Sequence, residues 1–132
     1  MTQKQATDKI NYALKTHKNF LDLTDLSLTY LPTTIRKLTQ LEGLDLRWNQ
    51  LKSLPPEICY LTELKYLSIS YNEFVTIPVE IFKLPKLRKF QFVNNQIEEI
   101  PDSIGELKNV LWLSCSGNKI QRISLKIGEM TN

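Results

Sequence analysis

The sequence predicts an α/β fold in which stacked repeats build a solenoid, with a parallel β-sheet on its concave face and short turns of 3₁₀ or α-helix on its convex face. Three observations predict this fold class. The chain repeats itself with a period of 23 residues, every repeat contains an alternating apolar segment of strand type, and the first four repeats carry a proline nine residues after that segment. Because a fixed period sends equivalent residues to equivalent places, neighbouring repeats bury one continuous core.

Five consecutive copies of one pattern account for most of the chain. The pattern is L-x-x-L-x-L-x-x-N-x-L-x-x-L-P-x-x-I-x-x-L-x-x, and its copies begin at Lys18, Leu41, Leu64, Leu87 and Val110. Seven positions of each copy should be apolar, and Lys18 is the one residue in those positions that is polar. We therefore expect residues 18–132 to form five coils of one solenoid, and we number the positions within each coil from 1 to 23.

An N-terminal helical cap is expected over residues 1–17. This segment places apolar side chains at spacings of three or four among polar ones, which indicates an amphipathic helix; they are Ala6, Ile10, Ala13 and Leu14. Coil one also departs from the pattern, because Leu26 stands where the other coils have asparagine and Lys18 stands where they have leucine or valine. Both departures suit a coil whose outer side meets a cap instead of another coil.

The strand and the turn after it explain residues 44–51, where the alternation begins and is then lost. Residues around positions 4 and 6 form a short strand, and stacked coils set these strands about 4.8 Å apart in parallel. The chain turns after position 6, so we expect Trp48 at position 8 on the rim of the concave face. The asparagine at position 9 can bond to loop backbone in its own coil and in the next. It predicts a buried ladder of Asn49, Asn72, Asn95 and Asn118.

The convex face is predicted from the prolines at position 15, which are Pro32, Pro55, Pro78 and Pro101. Proline fixes φ and has no N–H to donate, so it suits the start of a short helical turn, and an I-x-x-L spacing follows each one. Acids just after three of these prolines favour the positive end of such a turn, and we interpret them as structural: Glu57, Glu80 and Asp102.

The repeat resembles that of the leucine-rich-repeat family. The leucines of the pattern with asparagine at position 9 carry the resemblance, and proline at position 15 with isoleucine at position 18 resembles the 23-residue class common in bacterial proteins. The resemblance spans all but the first 17 residues. It implies a right-handed solenoid shaped as a short curved horseshoe. It also implies a protein-interaction module, since bacterial members usually bind proteins and some of them contact host proteins.

Composition disfavours several classes of protein. The chain carries 23% charged residues and a formal net charge of +3, with basic residues spread along it, so the charge balance calls for neither nucleic acid nor a membrane surface. It has no apolar run long enough for a signal peptide or a membrane span. We therefore expect no membrane insertion and a cytoplasmic location by default, with non-classical secretion left open as the alternative.

No catalytic or metal-binding motif stands out. Two cysteines and one histidine do not supply a structural zinc site or a disulfide framework, so we expect two free thiols and no metal or cofactor. Phosphate-binding glycine loops, the H-E-x-x-H pattern and serine-nucleophile patterns are missing from the sequence. Asp22 and Asp45 share position 5 in adjacent coils, but screening by Arg47 and solvent is favoured over a catalytic carboxylate pair. The prediction is that the protein is not an enzyme.

The concave face is the predicted binding surface. Positions 3, 5, 7 and 8 face solvent there and place five large aromatics among short polar residues, a composition typical of protein-binding surfaces. Aromatics on parallel strands also stabilise a sheet by stacking on each other, and that interpretation stays open. The favoured patch is Arg47, Trp48, Tyr66 and Tyr71, with Lys89 and Trp112 as a second cluster. The full predicted set also contains Asp45, Ser68 and Gln91.

The C-terminal end of the sequence points to a different use of the fold. Coil five has Ser124 in place of proline and an unexpected Leu125 beside it. An uncapped last coil would leave apolar side chains partly unprotected: Val110, Leu113, Cys115, Ile120 and Ile127. An end-to-end homodimer, a longer array and a tolerated frayed coil would each account for such an end.

Two functions follow from these surfaces. The main prediction is a non-catalytic module that binds an unidentified protein through its concave face. The alternative is a structural or self-assembling repeat protein that associates through its uncapped C-terminal coil. Nucleic acid is disfavoured as a partner, because acidic residues that would oppose phosphate lie on the same face: Asp22, Asp25, Asp45 and Glu73.

Overall fold

Helix α1 (Thr2–Thr16) packs against the first coil in the computed structural model, which describes residues 2–129. Its buried face consists of Ala6, Ile10 and Ala13, which recur every three or four residues. This spacing gives the helix one apolar stripe, and the stripe faces the coil. The helix contacts both the first strand of the sheet and the 3₁₀ turn at Thr33–Lys37.

Within residues 2–129, seven short strands follow the helix. They are β1 (Phe20–Asp22), β2 (Gly43–Asp45), β3 (Tyr66–Ser68), β4 (Lys89–Gln91), β5 (Glu99–Ile100), β6 (Trp112–Ser114) and β7 (Arg122–Ile123). Five of them form one parallel sheet in the order β1-β2-β3-β4-β6. Its register follows the sequence period, so that Leu21 pairs with Leu44 and Leu44 pairs with Leu67. The predicted parallel solenoid is confirmed, and equivalent positions of successive coils lie side by side.

The opposite face carries a 3₁₀ turn in every coil, as the fold class predicts. The turns are Thr33–Lys37, Pro56–Tyr60, Val79–Lys83, Asp102–Glu106 and Leu125–Glu129. In coil one the Pro32 carbonyl accepts the Ile35 N–H at 3.1 Å, and coils two to four repeat this bond. The proline therefore starts the turn through its carbonyl, and its missing N–H costs nothing there. The isoleucine at position 18 of each of these coils is buried.

Strands β5 and β7 pair in a second, two-stranded parallel sheet that the sequence analysis does not anticipate. The pairing explains the serine at position 15 of coil five. The Ser124 N–H donates to the Ile100 carbonyl at 2.9 Å, a bond that proline could not make. The Ser124 hydroxyl then accepts the Lys126 N–H at 3.0 Å and donates to the Asp102 carboxylate. Ser124 therefore begins the 3₁₀ turn of coil five, as proline begins the turn in the other four coils.

Asparagines at position 9 bond each coil to the coil before it. The Asn72 carbonyl oxygen accepts the Leu51 N–H at 2.9 Å, and its amide donates to the carbonyls of Leu46 at 2.9 Å and Ile69 at 3.0 Å. The same three kinds of bond recur at Asn49 and Asn95. Each asparagine side chain bonds to the backbone of its own coil and of the preceding coil. The bonds to a second coil were expected to reach the following coil instead. Coil one has no preceding coil, which accounts for its leucine at this position.

Coil five is less covered than the coils before it. Asn118 is half-buried, whereas the other three asparagines of the ladder are buried. Leu125 is 96% exposed, and three apolar side chains are only partly buried: Leu113, Cys115 and Ile120. The expectation was wrong for Val110, which is buried because it packs into the core cluster. Residues 130–132, which complete the fifth copy of the repeat, lie outside the described residues.

Replacing Asn72 with alanine should lower the free energy of unfolding by about 2 to 4 kcal/mol, because the buried Leu51 N–H and two buried carbonyls lose their partner. Asn118→Ala should cost less than half as much, since water reaches its partly exposed site. Urea unfolding monitored by circular dichroism measures both values, with Gln50→Ala at an exposed position as the control. Equal losses for the two asparagine variants would contradict the role assigned to burial.

Candidate functional site

Position 8 of every coil has a left-handed backbone. The φ angles are 55° at Asp25, 61° at Trp48, 59° at Tyr71, 52° at Asn94 and 73° at Gly117. Glycine, asparagine and aspartate adopt this conformation at low cost, whereas a large aromatic residue seldom does. The chain leaves the strand at this point, so the side chain at position 8 is not carried into the core. Trp48 is accordingly 55% exposed.

Trp48 and Tyr71 stack on each other across neighbouring coils. Their ring centroids are 3.9 Å apart and their ring planes differ by 11°. Backbone bonds fix both residues, because the Trp48 N–H donates to the Ser70 carbonyl at 3.2 Å and the Tyr71 N–H donates to the Val93 carbonyl at 2.8 Å. The next coil therefore holds each ring in place. We call Trp48 and Tyr71 the aromatic pair.

A second row of side chains occupies position 3. The Phe20 ring fills the space where a side chain on Gly43 would lie, and it stacks with Tyr66 at a distance of 6.1 Å between ring centroids. The Lys89 Nζ lies 5.7 Å from the centroid of the Tyr66 ring, within the range of a cation–π interaction. Trp112 ends the row and is more than half exposed. We call Phe20, Tyr66, Lys89 and Trp112 the position-3 row.

Acidic side chains of coils one and two lie between these two features, and each has its own partner. The Arg47 guanidinium binds the Asp45 carboxylate through Nε at 2.9 Å and Nη2 at 2.7 Å, and this bonding raises the pKa of Arg47. Burial raises the pKa of Asp22, but hydrogen bonds from Thr24 and the charges of Lys9 and Arg47 outweigh burial and hold that pKa below its ordinary value. Neighbouring side chains thus engage both carboxylates, which agrees with the expectation that Asp22 and Asp45 are screened and do not form a catalytic pair.

The Tyr66 hydroxyl connects the position-3 row to position 5. It donates to Gln91 Oε1 at 3.2 Å and also interacts with the Ser68 side chain. Burial, followed by the negative charge of Asp45, raises the pKa of Tyr66 above its ordinary value of 10.0. The long side chain at position 3 therefore leans over the short side chain at position 5.

Two of the predicted contact residues, Ser68 and Asp45, do not reach the accessible surface. Ser68 is fully buried and Asp45 is nearly so. The Tyr66 hydroxyl interacts with the Ser68 side chain, and the Arg47 guanidinium binds the Asp45 carboxylate. The short side chains at position 5 therefore lie between longer side chains. We therefore correct the predicted contact set by removing both residues. The remaining members are exposed or half-buried: Arg47, Trp48, Tyr66, Tyr71, Lys89, Gln91 and Trp112.

The predicted set also omits Phe20, which is half-exposed and stacks with Tyr66. Gly43 is the signal that could have identified it. A glycine between two aromatic positions leaves a gap of one side chain, and the ring of the preceding coil can lean into that gap. Position 8 carries a second signal, since aspartate, asparagine and glycine recur there and favour left-handed backbone: Asp25, Asn94 and Gly117.

Two regions of the chain match models of one protein family. Residues 62–120 match a model described as leucine rich repeat, and residues 40–61 match a second model of the same description. The chain belongs to the leucine-rich-repeat family. Proteins with this fold commonly mediate protein–protein interactions, and they are generally not catalytic.

Solved leucine-rich-repeat structures share the fold. A leucine-rich-repeat protein of Leptospira interrogans is 30% identical, with a TM-score of 0.68 over 91% of this chain and 37% of that one. The leucine-rich-repeat domain of APL1B is 23% identical, with a TM-score of 0.75 over 91% of this chain and 36% of that one. The functional domain of InlJ from Listeria monocytogenes, which includes a cysteine ladder, is 23% identical, with a TM-score of 0.62 over 75% of this chain and 20% of that one. The chain thus spans less than half the length of each of these proteins.

A comparison with curated proteins found no match. Within residues 2–129, no helix combines the length and the apolarity that crossing a bilayer requires. Both cysteines, Cys59 and Cys115, are free and half-buried.

Family membership and the geometry of the concave face are the basis for a functional assignment.

Replacing Trp48 with asparagine should change the free energy of unfolding by less than about 1 kcal/mol. Asparagine relieves about 1 to 2 kcal/mol of left-handed strain but loses the stack with Tyr71, which contributes about 0.5 to 1.5 kcal/mol, so the two effects nearly cancel. Gly117→Ala should cost more than about 1 kcal/mol, because the residue has a φ of 73° and the added Cβ would meet Asn94. Thermal unfolding measures both variants. A melting temperature several degrees lower for Trp48→Asn would mean that Trp48 acts as a core residue.

Tyr66 should ionise above pH 10.0, the ordinary pKa of tyrosine, because the folded state disfavours its phenolate. Its folded-state pKa is raised, so the stability contributed by neutral Tyr66 is present below the unfolded-state pKa and is lost as the pH rises through the folded-state pKa. An alkaline titration of phenolate absorbance measures this ionisation. Tyr66→Phe should remove the component that titrates last, and its survival in that variant would rule out the assignment.

Proposed function

We propose that this chain is a non-catalytic module that binds another protein through its concave face. The aromatic pair is the observation that carries the proposal. Trp48 and Tyr71 are large residues in left-handed backbone positions, where smaller residues would be accommodated with less strain. More than half of the Trp48 surface is exposed, so most of its apolar area contributes little to folding. Rigid, exposed aromatics of this kind dominate the energy of protein interfaces.

The surroundings of the aromatic pair also suit a protein partner. The position-3 row adds two exposed aromatic rings, Phe20 and Trp112, on the same sheet. Side chains that can donate hydrogen bonds to a partner lie between and beside the rings: Arg47, Lys89 and Gln91. Tyrosine, tryptophan and arginine are the residue types enriched where interfaces gain most of their energy.

Asp22 and Asp45, the two carboxylates at position 5, do not compete with this proposal as catalytic groups. Asp45 binds Arg47, and Asp22 accepts hydrogen bonds from the N–H and the hydroxyl of Thr24 at 2.9 Å and 2.7 Å. Each carboxylate is thus engaged by its own neighbour instead of facing a substrate site. The exposed acids of coil one, Asp22 and Asp25, also oppose the approach of nucleic acid.

We further propose the division of the chain into a cap of residues 1–17 and five repeats in residues 18–132. The buried face of α1 supports the cap, because Ala6, Ile10 and Ala13 cover the core at the β1 end of the sheet. Strand β1 has a neighbour on one side only, so a cap at this end shields it from pairing with other chains.

Affinity purification of the intact protein from its source tests the binding proposal. The double variant Trp48→Ala, Tyr71→Ala should lose the captured partner by at least about tenfold, since it removes both anchors of the surface. Tyr60→Ala is the control, because Tyr60 is 58% exposed, close to the 55% of Trp48, but lies in the convex 3₁₀ turn of coil two. Tyr60→Ala should keep nearly the parent melting temperature, whereas the double variant, which loses the ring stack without relief of the left-handed strain, should unfold a few degrees lower and stay folded at the temperature of capture. Equal capture by the double variant and the parent would refute the assignment of the concave face.

Self-association through coil five is the second candidate, and the exposure of that coil favours it. Within residues 2–129, β6 is the last strand of the larger sheet, and coil five carries exposed apolar side chains: Leu111, Ile123, Leu125 and Ile127. Such a patch beside an edge strand can pair with a second copy. In that case Leu125→Glu with Ile127→Glu should abolish the dimer, and the concave substitutions should be silent. Sedimentation of the parent as a monomer at high concentration would dispose of this candidate.

A further inference from the structure

A cleft lined by basic residues lies at the amino-terminal end of the strands, opposite the end that carries the aromatic pair. It has a volume of about 550 Å³ and is lined by Lys65, Lys86, Arg88, Asn109 and Leu111, which occupy positions 2 and 23 of coils three to five. We call it the basic cleft. We propose that the basic cleft binds an acidic segment of the protein partner, one that also carries an apolar side chain. This inference rests on the proposed function and specifies the chemistry of the partner.

The charges of the basic cleft are only partly neutralised. Lys65 pairs with Glu42 at 3.1 Å and Lys86 pairs with Glu63 at 2.8 Å, and all four side chains are about half exposed. Ion pairs of this exposure contribute about 0 to 1 kcal/mol, so a carboxylate of a partner can compete with them. Arg88 is exposed, and none of the ion pairs among the side chains of residues 3–128 involves it. Its guanidinium is the group best placed to bind a partner carboxylate through two hydrogen bonds.

The basic cleft is continuous with the position-3 row. Lys65 and Arg88 directly precede Tyr66 and Lys89, which are the first residues of two strands paired in register, and the Lys89 Nζ lies over the Tyr66 ring. Leu111, which is 44% exposed, lies in the wall of the cleft next to Trp112. An acidic segment with one apolar side chain would therefore meet complementary charge and complementary apolar surface together.

The distribution of acids favours a peptide over nucleic acid. Basic residues line the edge of coils three and four, but coil one carries the exposed acids Asp22 and Asp25 on its concave face. A polyanion long enough to cross the sheet would lie against these acids. A short acidic segment can occupy the basic cleft without reaching them. The volume of about 550 Å³ is also within the range of sites that enclose a few residues of a ligand.

Fluorescence anisotropy with a labelled short peptide of alternating glutamate and leucine tests the proposal on the full chain. Arg88→Glu should weaken binding by at least about tenfold, because it replaces an attraction with a repulsion. Glu42→Gln should tighten binding about threefold, because it frees Lys65 and removes a competing carboxylate. A gain of affinity that is lost with the glutamine version of the peptide would not be expected from misfolding, because exposed apolar surface does not require the carboxylates. Lys37→Glu, a charge reversal of equal size in the convex 3₁₀ turn of coil one, is the matched control and should change binding less than twofold.

Three results would overturn the inference. The first is an equal loss for Arg88→Glu and Lys37→Glu, which would mean that net charge alone drives binding. The second is equal binding of the same peptide with glutamine in place of glutamate. The third is tighter binding of a single-stranded oligothymidylate that depends on the same residues, which would make the basic cleft a nucleic-acid site. Failure of the aromatic-pair variants to affect partner capture would refute the proposed function without altering these titrations, so the two outcomes are distinguishable.

Discussion

Each coil of this solenoid relies on the following coil for part of its hydrogen bonding. The strand backbones pair only with neighbouring coils, and the asparagine at position 9 reaches back to satisfy the loop of the coil before it. A single coil would leave these buried groups without partners, at a cost of about 1 to 3 kcal/mol for each group. Stability therefore grows with stacking, and the register of the sheet is set by the sequence period. This constraint places equivalent residues of successive coils next to each other.

The same constraint explains why the concave face can hold strained aromatics. The N–H groups of Trp48 and Tyr71 are bonded to carbonyls of the next coil, so the backbone keeps its left-handed turn whichever side chain position 8 carries. The left-handed turn that follows each strand of the larger sheet thus also holds the position-8 side chain at the surface. Stacking across coils then holds the two rings in one arrangement, which would reduce the entropy lost in the proposed binding of a protein.

Periodicity was sufficient to predict the strands of the larger sheet, the turns after the prolines and the positions of the ladder asparagines. The direction of the asparagine bonds was not predictable from spacing, because a side chain between two loops can bond to either. Leu26 indicates the direction of these bonds. Coil one follows helix α1 instead of another coil, and it is the coil that has leucine in place of the asparagine. The burial of Ser68 depends on how the Tyr66 ring leans, and the position of Phe20 depends on the gap above Gly43. Such details follow from neighbouring side chains and not from a residue's own position in the repeat. The β5–β7 pair and the serine that replaces proline likewise involve two coils at once.

Native-state hydrogen exchange of the amides bonded to the asparagine ladder tests the central claim most directly. The account predicts that the N–H groups of Leu51 and Phe74, which donate to Asn72 and Asn95, exchange only when the whole solenoid unfolds. The Ile97 N–H, which donates to the half-buried Asn118, should exchange faster through local opening of coil five. Exchange of Leu51 at the rate of an unprotected amide would contradict the claim that the ladder joins one coil to the next.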